Sequence, residues 1–461
     1  MRFDVFLAAL ALAAFPLAAQ DTKDAGPTRD ADGFLWGTEV LAAVEDASQL
    51  PDHVRWSLDA VRESGLTTVK VRFQRQFFAR KSGSFSVEGA MPSARDPRVR
   101  FDLDETVKLF KERGWSMVPM LSAYPLEVND GTLNDYPEWV EWFVSRCAAD
   151  ADIRYVELVN CPVLDWKGTP AQLADANNLV YERVKKKHPE ILVGTVGFEY
   201  WVDASDRSVE QVEYFLDPKN DVKFDFWAFH GYPLVTRIGA PFRPPTRKPT
   251  RNKYAGIPGI VEVRRRLDAN GWKDRPMFDT EHVGIVPTGP RIDDERDQAD
   301  AAYMVQELLL KRTLQLDGRR CLDGIIALKM YARKESGEFA FGSLKPDGSA
   351  SRALHAVRVL LAKITGFKHA GHVSGEFDQE DVWVEKFRAG RKELYVFFKP
   401  FGGDDVRLDG KAVKHTLKLE KKPSSVTLFD ASGAATKMEP REAVVLEAEN
   451  APKYLEVEYS E

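Results

Sequence analysis

The stretch Leu103-Asp-Glu-Thr-Val-Lys-Leu-Phe-Lys-Glu-Arg113, then Gly114, then Trp115-Ser-Met-Val-Pro-Met-Leu121, shows the kind of unit from which this chain is built. Apolar residues three or four positions apart in the first part predict an amphipathic helix, and the glycine marks its end. The apolar run after the glycine predicts a buried strand. The unit is therefore a helix that leads through a short connection into a strand.

The same alternation extends over residues 33–365. Strands are predicted at 34–41, 67–73, 115–121, 155–159, 191–198, 224–229, 276–280 and 324–329. Helices are predicted at 52–64, 103–113, 136–148, 172–187, 257–270, 297–317 and 350–364. This alternation favours a (β/α)8 TIM barrel over an open doubly wound sheet. Since no Gly-x-Gly-x-x-Gly or Walker motif interrupts it, we expect no nucleotide and no other cofactor.

After residue 365 the pattern changes to short strands separated by turn residues. Strands are predicted at 382–387, 393–398, 413–419, 425–429 and 442–446, with turns at Asp409-Gly410 and Ser432-Gly433. Closely spaced strands of this kind are typical of antiparallel sheets. We therefore expect a small β-sandwich accessory domain over 366–461.

The N-terminus has the pattern of a secretory signal peptide. Arg2 precedes an apolar run over 5–17, and Ala18-Ala19 supplies small residues for cleavage after Ala19. The alternative is a membrane anchor, but a bilayer span needs about 20 apolar residues. We expect a signal peptide over 1–19, a polar linker over 20–32, a periplasmic or secreted mature protein, and no membrane span.

Composition excludes several other classes of protein. Among 461 residues, 65 Lys plus Arg against 71 Asp plus Glu leave a net charge of −6, without the basic excess that nucleic-acid binding favours. Hydrophobic residues at 44% and aromatics at 11% argue against a disordered chain. Three cysteines, with no Cys/His cluster in sequence, predict neither a disulfide scaffold nor a metal site. Whether Cys147 pairs with Cys321 stays open.

Polar and aromatic side chains follow several of the predicted barrel strands. Active residues of such barrels come from the C-terminal ends of the strands and the loops after them. Side chains at these strand ends include Glu281, after the seventh strand, and Cys161, after the fourth, the two positions to which the resemblance given below assigns catalytic roles. The candidate substrate-binding residues are Arg72, Asn160, Trp166, His230, Tyr232 and Tyr331.

In their order and spacing these motifs resemble those of the retaining (β/α)8 glycoside hydrolases of clan A. The resemblance covers about residues 33–365, and the predicted sandwich resembles the accessory β-domain often appended to such barrels. It implies that Glu281 is the nucleophile and that Asn160 binds a sugar hydroxyl. Where the clan has Asn-Glu-Pro with the acid/base glutamate, this chain has Asn160-Cys161-Pro162.

The cysteine changes what the resemblance implies about activity. A thiol is a weak proton donor to a leaving alkoxide, and loss of general acid–base assistance costs about 10²–10⁴-fold in rate. Asp165 and Glu127 are candidates for a relocated acid. We expect an exported glycoside hydrolase-like protein that acts on or binds a polysaccharide or oligosaccharide. The alternatives are a non-catalytic carbohydrate-binding pseudoenzyme, or a redox or covalent role for the thiol.

Each candidate also has a purely structural interpretation. Arg72 inside a barrel needs a carboxylate partner, for which Glu281 or Asp279 would serve. His230 and Tyr232 flank a glycine, which indicates a close backbone approach, although a buried histidine with satisfied hydrogen bonds is the simpler alternative. Aromatic rings after strand ends, such as Trp166 and Tyr331, either stack on sugar rings or pack in the core.

Overall fold

The computed structural model describes the predicted strands and helices together with short connecting segments. The described residues are 29–40, 52–75, 78–81, 84–87, 92–93, 96–100, 103–122, 135–162, 166, 168–199, 206–231, 254, 256–281, 294–329, 344–345, 348–373, 381–401, 408 and 410–460. The predicted signal peptide over 1–19 and most of the predicted linker over 20–32 lie outside them.

Eight parallel strands of the described chain form a closed barrel. They are β1 (Leu35–Val40), β2 (Thr68–Gln74), β3 (Ser116–Ser122), β4 (Tyr155–Asn160), β5 (Leu192–Glu199), β6 (Trp227–His230), β7 (Met277–Asp279) and β8 (Gly324–Lys329). The hydrogen-bonded order is β2-β1-β8-β7-β6-β5-β4-β3, and pairing of β2 with β3 closes the circle. The predicted TIM barrel is confirmed.

Helices follow the strands in turn. They are α1 (Asp52–Ser64), α2 (Leu103–Arg113), α3 (Tyr136–Ala148), α4 (Pro170–Lys187), α5 (Asp206–Leu216), α6 (Gly256–Ala269), α7 (Asp294–Thr313) and α8 (Arg352–Ile364). Shorter strands lie at Phe78–Lys81, Ser84–Val87, Pro92–Ser93, Asp96–Arg100, Asp152–Ile153, Gln315–Leu316 and Arg319–Arg320, with a 3₁₀ helix at Pro218–Asn220. No helix of the described chain has the length and apolar composition to cross a membrane.

The barrel lumen is apolar near the start of its strands. One buried cluster fills this end, with side chains from Leu35, Val118, Tyr155, Phe226, Ala228, Phe278 and Ile326. A larger core lies between the barrel strands and the surrounding helices. The barrel strands also carry buried charged side chains, among them Glu39, Lys70, Glu157 and Asp279.

The C-terminal region forms antiparallel sheets, as predicted. Its strands are β9 (Lys368–His372), β10 (Trp383–Ala389), β11 (Lys392–Phe398), β12 (Val413–Lys418), β13 (Ser425–Phe429), β14 (Ala435–Met438), β15 (Ala443–Ala448) and β16 (Lys453–Glu458). Six pair in the order β9-β10-β11-β16-β13-β14, and β12 pairs with β15. Alternate residues of β15 are buried, which is the pattern of a strand with one face in a core.

Hydrogen bonds join the C-terminal sheets to the barrel. Gln306 of α7 donates from its Nε2 to the backbone oxygens of Lys399 and Asn450, at 3.2 and 2.6 Å.

Arg312 of the same helix pairs with Asp30 at 2.7 Å, and this aspartate is buried. The last residues of the predicted linker therefore pack against the barrel.

Candidate active site

Three side chains from different strands meet at the C-terminal end of the barrel. Cys161 directly follows β4, His230 ends β6, and Glu281 lies two residues after β7. Cys161 Sγ lies 3.2 Å from His230 Nδ1, and Glu281 Oε2 lies 3.5 Å from the same nitrogen. The sulfur and the Glu281 carboxylate oxygen are within 4.8 Å of each other. The parallel strands thus bring together residues that are 51 to 120 positions apart in sequence.

A buried carboxylate orients the imidazole from its other side. His230 Nε2 lies 3.2 Å from Glu157 Oε1, and both side chains are fully buried. An ionised carboxylate can only accept a hydrogen bond, so Nε2 donates. Glu157 therefore sets both the orientation of the ring and which nitrogen faces the cysteine and Glu281.

Lys70 of β2 balances the charge of Glu157. Its Nζ lies 3.3 Å from Glu157 Oε2 and 3.9 Å from Glu39 Oε2, and it donates to the backbone oxygen of Thr280 at 2.6 Å. Burial would raise the pKa of Glu157, but Lys70 and the hydrogen bond from His230 hold that pKa below its usual range. Burial would lower the pKa of Lys70, and the neighbouring carboxylates raise it instead. Both groups are therefore charged at neutral pH.

Gly197 of β5 leaves the space that the His230–Glu157 pair occupies. A Cβ at this position would stand 2.5 Å from Glu157 Oε1 and closer still to His230 Nε2. Real Cβ atoms do not approach heavy atoms this closely, so any larger residue must displace the pair.

The backbone around Cys161 has an uncommon conformation. Val159 and Cys161 have φ angles of 31° and 46°, in the left-handed region that residues with a Cβ seldom adopt. This conformation costs about 1–3 kcal/mol of folding free energy per residue, so it is found only where surrounding contacts impose it. The conformation directs the cysteine side chain into the site.

A second buried cluster holds the end of β7. Asp279 Oδ1 accepts from the backbone N–H of Gly231 at 2.9 Å, and Lys311 Nζ lies 2.8 Å from Asp279 Oδ2 and 2.8 Å from Glu307 Oε1. A Cβ on Gly231 would stand 2.5 Å from Asp279 Oδ2, so the predicted close approach at this glycine is present. These contacts fix the strand that leads to Glu281.

The other predicted site residues fall in different surroundings. Asn160 is buried at the end of β4, and among the described residues nothing bonds its Oδ1. Arg72 is half-buried on β2, and Asp279 pairs with Lys311. Trp166 is 1% exposed, lies in the main core and donates from Nε1 to Thr169, which matches the packing alternative. Four further candidates lie outside the described residues: Tyr232, Tyr331, Glu127 and Asp165.

Sequence reasoning did not single out Glu157, Lys70, Lys311 or Gly197. A signal was present, because a buried charge in an apolar strand requires a partner. Lys70 and Glu157 each interrupt such a strand. Their pairing could not be read from the sequence, since it depends on which strands the closed sheet brings close together.

The same three side chains could also hold a metal ion. The structure brings one group of potential metal ligands together among the described residues, with all donor atoms within 4.8 Å of one another: Cys161, His230 and Glu281. Separately, Cys147, Cys161 and Cys321 are all buried and none of them is in a disulfide, so Cys147 and Cys321 are not joined.

Comparison with solved structures finds glycoside hydrolases of clan A. A family 39 glycoside hydrolase from the gut symbiont Bacteroides cellulosilyticus superposes with a TM-score of 0.65 at 16% identity, covering 91% of this chain and 80% of that one. A glucosidase from Croceicoccus marinus gives 0.61 at 16%, covering 95% and 97%. A monomeric beta-xylosidase from Caulobacter crescentus gives 0.58 at 16%, covering 95% and 98%.

Neither a known family model nor a curated protein sequence matches the chain. At 16% identity the structural likeness establishes the fold, a barrel with C-terminal antiparallel sheets. The expected resemblance to the glycoside hydrolases of clan A is therefore confirmed at the level of the fold.

Proposed function

We propose that this protein is an exported retaining glycoside hydrolase whose nucleophile is Glu281 and whose acid/base position is occupied by Cys161. The observation that carries the proposal is the distance of at most 4.8 Å between the Glu281 carboxylate and the Cys161 sulfur. Retaining enzymes hold their two catalytic carboxyls about 5–5.5 Å apart. Glu281 is buried, with 8% of its surface exposed.

The first chemical step needs only Glu281. A carboxylate oxygen attacks the anomeric carbon, the glycosidic bond breaks, and its electron pair leaves with the aglycone oxygen. The product is a glycosyl ester of Glu281. His230 Nδ1 lies 3.5 Å from Glu281 Oε2, beside the attacking carboxylate. Water then attacks the anomeric carbon, loses a proton and releases the sugar.

Cys161 limits both steps through weak proton transfer. Without an effective acid, substrates whose aglycone is a poor leaving group react about 10²–10⁴-fold more slowly. Aryl glycosides with acidic phenols need no proton, so they should form the ester rapidly and hydrolyse it slowly. Asn160, whose Oδ1 has no partner among the described residues, would accept a hydrogen bond from a sugar hydroxyl.

Pre-steady-state kinetics with a panel of dinitrophenyl glycosides tests the proposal. We expect a burst of phenolate equal to the enzyme concentration, followed by slow turnover that azide accelerates, since that anion attacks the ester without a general base. Cys161→Glu should raise turnover of unactivated glycosides by at least about 10²-fold. Cys321→Ala, at another buried thiol, is the matched control and should change neither rate.

A protein that binds sugar without hydrolysing it would give a different result. If no substrate gives a burst, and Glu281→Gln binds oligosaccharide as the parent does, the protein binds sugar without turnover. Export has its own test: the mature protein from the native cell should begin at Gln20, outside the cytoplasm. An intact Met1 on a cytoplasmic protein would contradict it.

A further inference from the structure

We propose that Cys161, His230 and Glu281 form a binding site for a Zn²⁺ ion, through Sγ, Nδ1 and a carboxylate oxygen. The three ligands belong to three separate strand ends, which explains why no metal-binding spacing is visible in the sequence. The site goes beyond the proposed hydrolase function, and binding itself does not depend on that function.

The distances between the ligand atoms agree with a tetrahedral zinc centre. Zinc lies about 2.3 Å from thiolate sulfur and about 2.0–2.2 Å from imidazole nitrogen or carboxylate oxygen, so its ligand atoms are roughly 3.3–3.6 Å apart. The Cys161–His230 and His230–Glu281 distances are 3.2 and 3.5 Å. The remaining pair, Cys161 Sγ and the Glu281 carboxylate oxygen, lies within 4.8 Å, and the glutamate side chain would have to rotate to bring it to the zinc spacing. Three protein ligands leave a fourth position for water or another small ligand.

The hydrogen bond on the far side of the imidazole is an independent observation that points to a metal. Histidines that bind metals almost always donate their other ring nitrogen to a carboxylate, a carbonyl or water. Here His230 Nε2 donates to Glu157 at 3.2 Å. Lys70 neutralises Glu157 from behind, at 3.3 Å. Nδ1 is thereby presented, with its lone pair, to the sulfur and to Glu281.

The kinds of donor select the metal. Thiolate and imidazole are soft or borderline ligands that favour zinc, whereas Mg²⁺ and Ca²⁺ require oxygen ligands. One thiolate and one carboxylate balance the two charges of the ion. On binding, the thiol of Cys161 releases its proton to solvent, and no oxidation or reduction is involved.

A bound ion would occupy the carboxylate that the proposed function needs as its nucleophile. Zinc should therefore inhibit hydrolysis of aryl glycosides, and a chelator should restore it. This consequence, unlike binding, rests on the proposed function.

Cobalt substitution tests binding without any assay of activity. Full-length protein, treated with chelator and then titrated with Co²⁺, should bind one equivalent and develop a thiolate-to-cobalt charge-transfer absorption. Cys161→Ser should lose that absorption, and Glu281→Gln should bind at least about 10-fold more weakly. Cys147→Ala, which alters a buried thiol outside the cluster, should retain the full signal.

Glu157→Gln separates orientation of the imidazole from ligation. It should keep the charge-transfer absorption but weaken metal affinity about 10–100-fold, as losses of such outer contacts do. Circular dichroism confirms that each variant is folded. Failure of parent protein to take up Co²⁺ or Zn²⁺, or an unchanged absorption in Cys161→Ser, would overturn the site.

The two proposals fail separately. A cobalt signal without any glycosyl ester would leave the metal site standing and remove the hydrolase mechanism. An ester formed on the metal-free protein, with no cobalt signal, would do the reverse.

Discussion

Replacing Gly197 with alanine should damage the site by a predictable amount. The new Cβ would stand 2.5 Å from Glu157 Oε1 and nearer still to His230 Nε2, about 1 Å inside normal contact. Neither side chain has room to withdraw, because Glu157 is held by Lys70 and His230 lies against Cys161. Overpacking of this kind typically costs about 1–3 kcal/mol of folding free energy.

The effect on function should exceed the effect on stability. A shift of about 1 Å in a catalytic group can cost about 10²-fold in rate, so we expect that loss in kcat/KM for an activated aryl glycoside. Urea unfolding measures the stability term. Gly366→Ala is the matched control, since its Cβ would meet nothing within 4 Å and its φ is not positive. If Gly197→Ala matches Gly366→Ala in both assays, the packing of the His230–Glu157 pair is not as described.

Two further predictions concern buried charges. Lys70→Met should lower the free energy of unfolding, measured with urea, by about 3–5 kcal/mol, because the buried charge of Glu157 would lose its cation. Adding Glu157→Leu to Lys70→Met should recover part of that loss. If the double variant recovers nothing, the pairing of Lys70 with Glu157 is contradicted. Burial raises the pKa of Glu307 from its ordinary 4.5 to about 7, against the attraction of Lys311. The unfolded carboxyl loses its proton at lower pH than the folded one, so stability falls as pH rises from about 4.5 to about 7. The decline should be at most about 3 kcal/mol, and Glu307→Gln should abolish it. Urea unfolding at about pH 5 and about pH 7.5 measures the decline in both proteins. If it persists in Glu307→Gln, Glu307 is not its cause.

Elements with strong local signals could be predicted from the sequence. Helices Asp52–Ser64, Leu103–Arg113 and Tyr136–Ala148 have the predicted bounds. Their apolar residues recur at helical spacing, and Gly65 and Gly114 adopt the positive φ that ends the first two helices. In these segments, the local sequence is sufficient to predict where each helix begins and ends.

Two helices of the structure differ from the sequence prediction. Helix Asp206–Leu216 was not predicted, although Val209, Val212 and Phe215 lie three apart. The helix predicted over 297–317 ends instead at Thr313, because Asp317 and Gly318 both have positive φ and form the tight turn between two short strands.

The site was predictable in position but not in its supporting contacts. Motifs at strand ends predicted Cys161, His230 and Glu281 as site residues, and the structure brings the three together. Lys70 of β2 pairs with Glu157 of β4, and Asp279 of β7 pairs with Lys311 of helix α7. Such pairs follow from the closed sheet and from the packing of helices on it, which no local pattern encodes.

The most direct test of the central claim is mass spectrometry of the protein after reaction with a 2-deoxy-2-fluoro aryl glycoside of the sugar that gives the largest burst. The fluorine slows hydrolysis of the ester, so the glycosylated residue can be identified by peptide mapping. We predict one sugar per chain on Glu281, with labelling retained in Cys161→Ala. A sugar attached to Cys161, or an unlabelled chain despite turnover of the parent glycoside, would contradict Glu281 as the nucleophile.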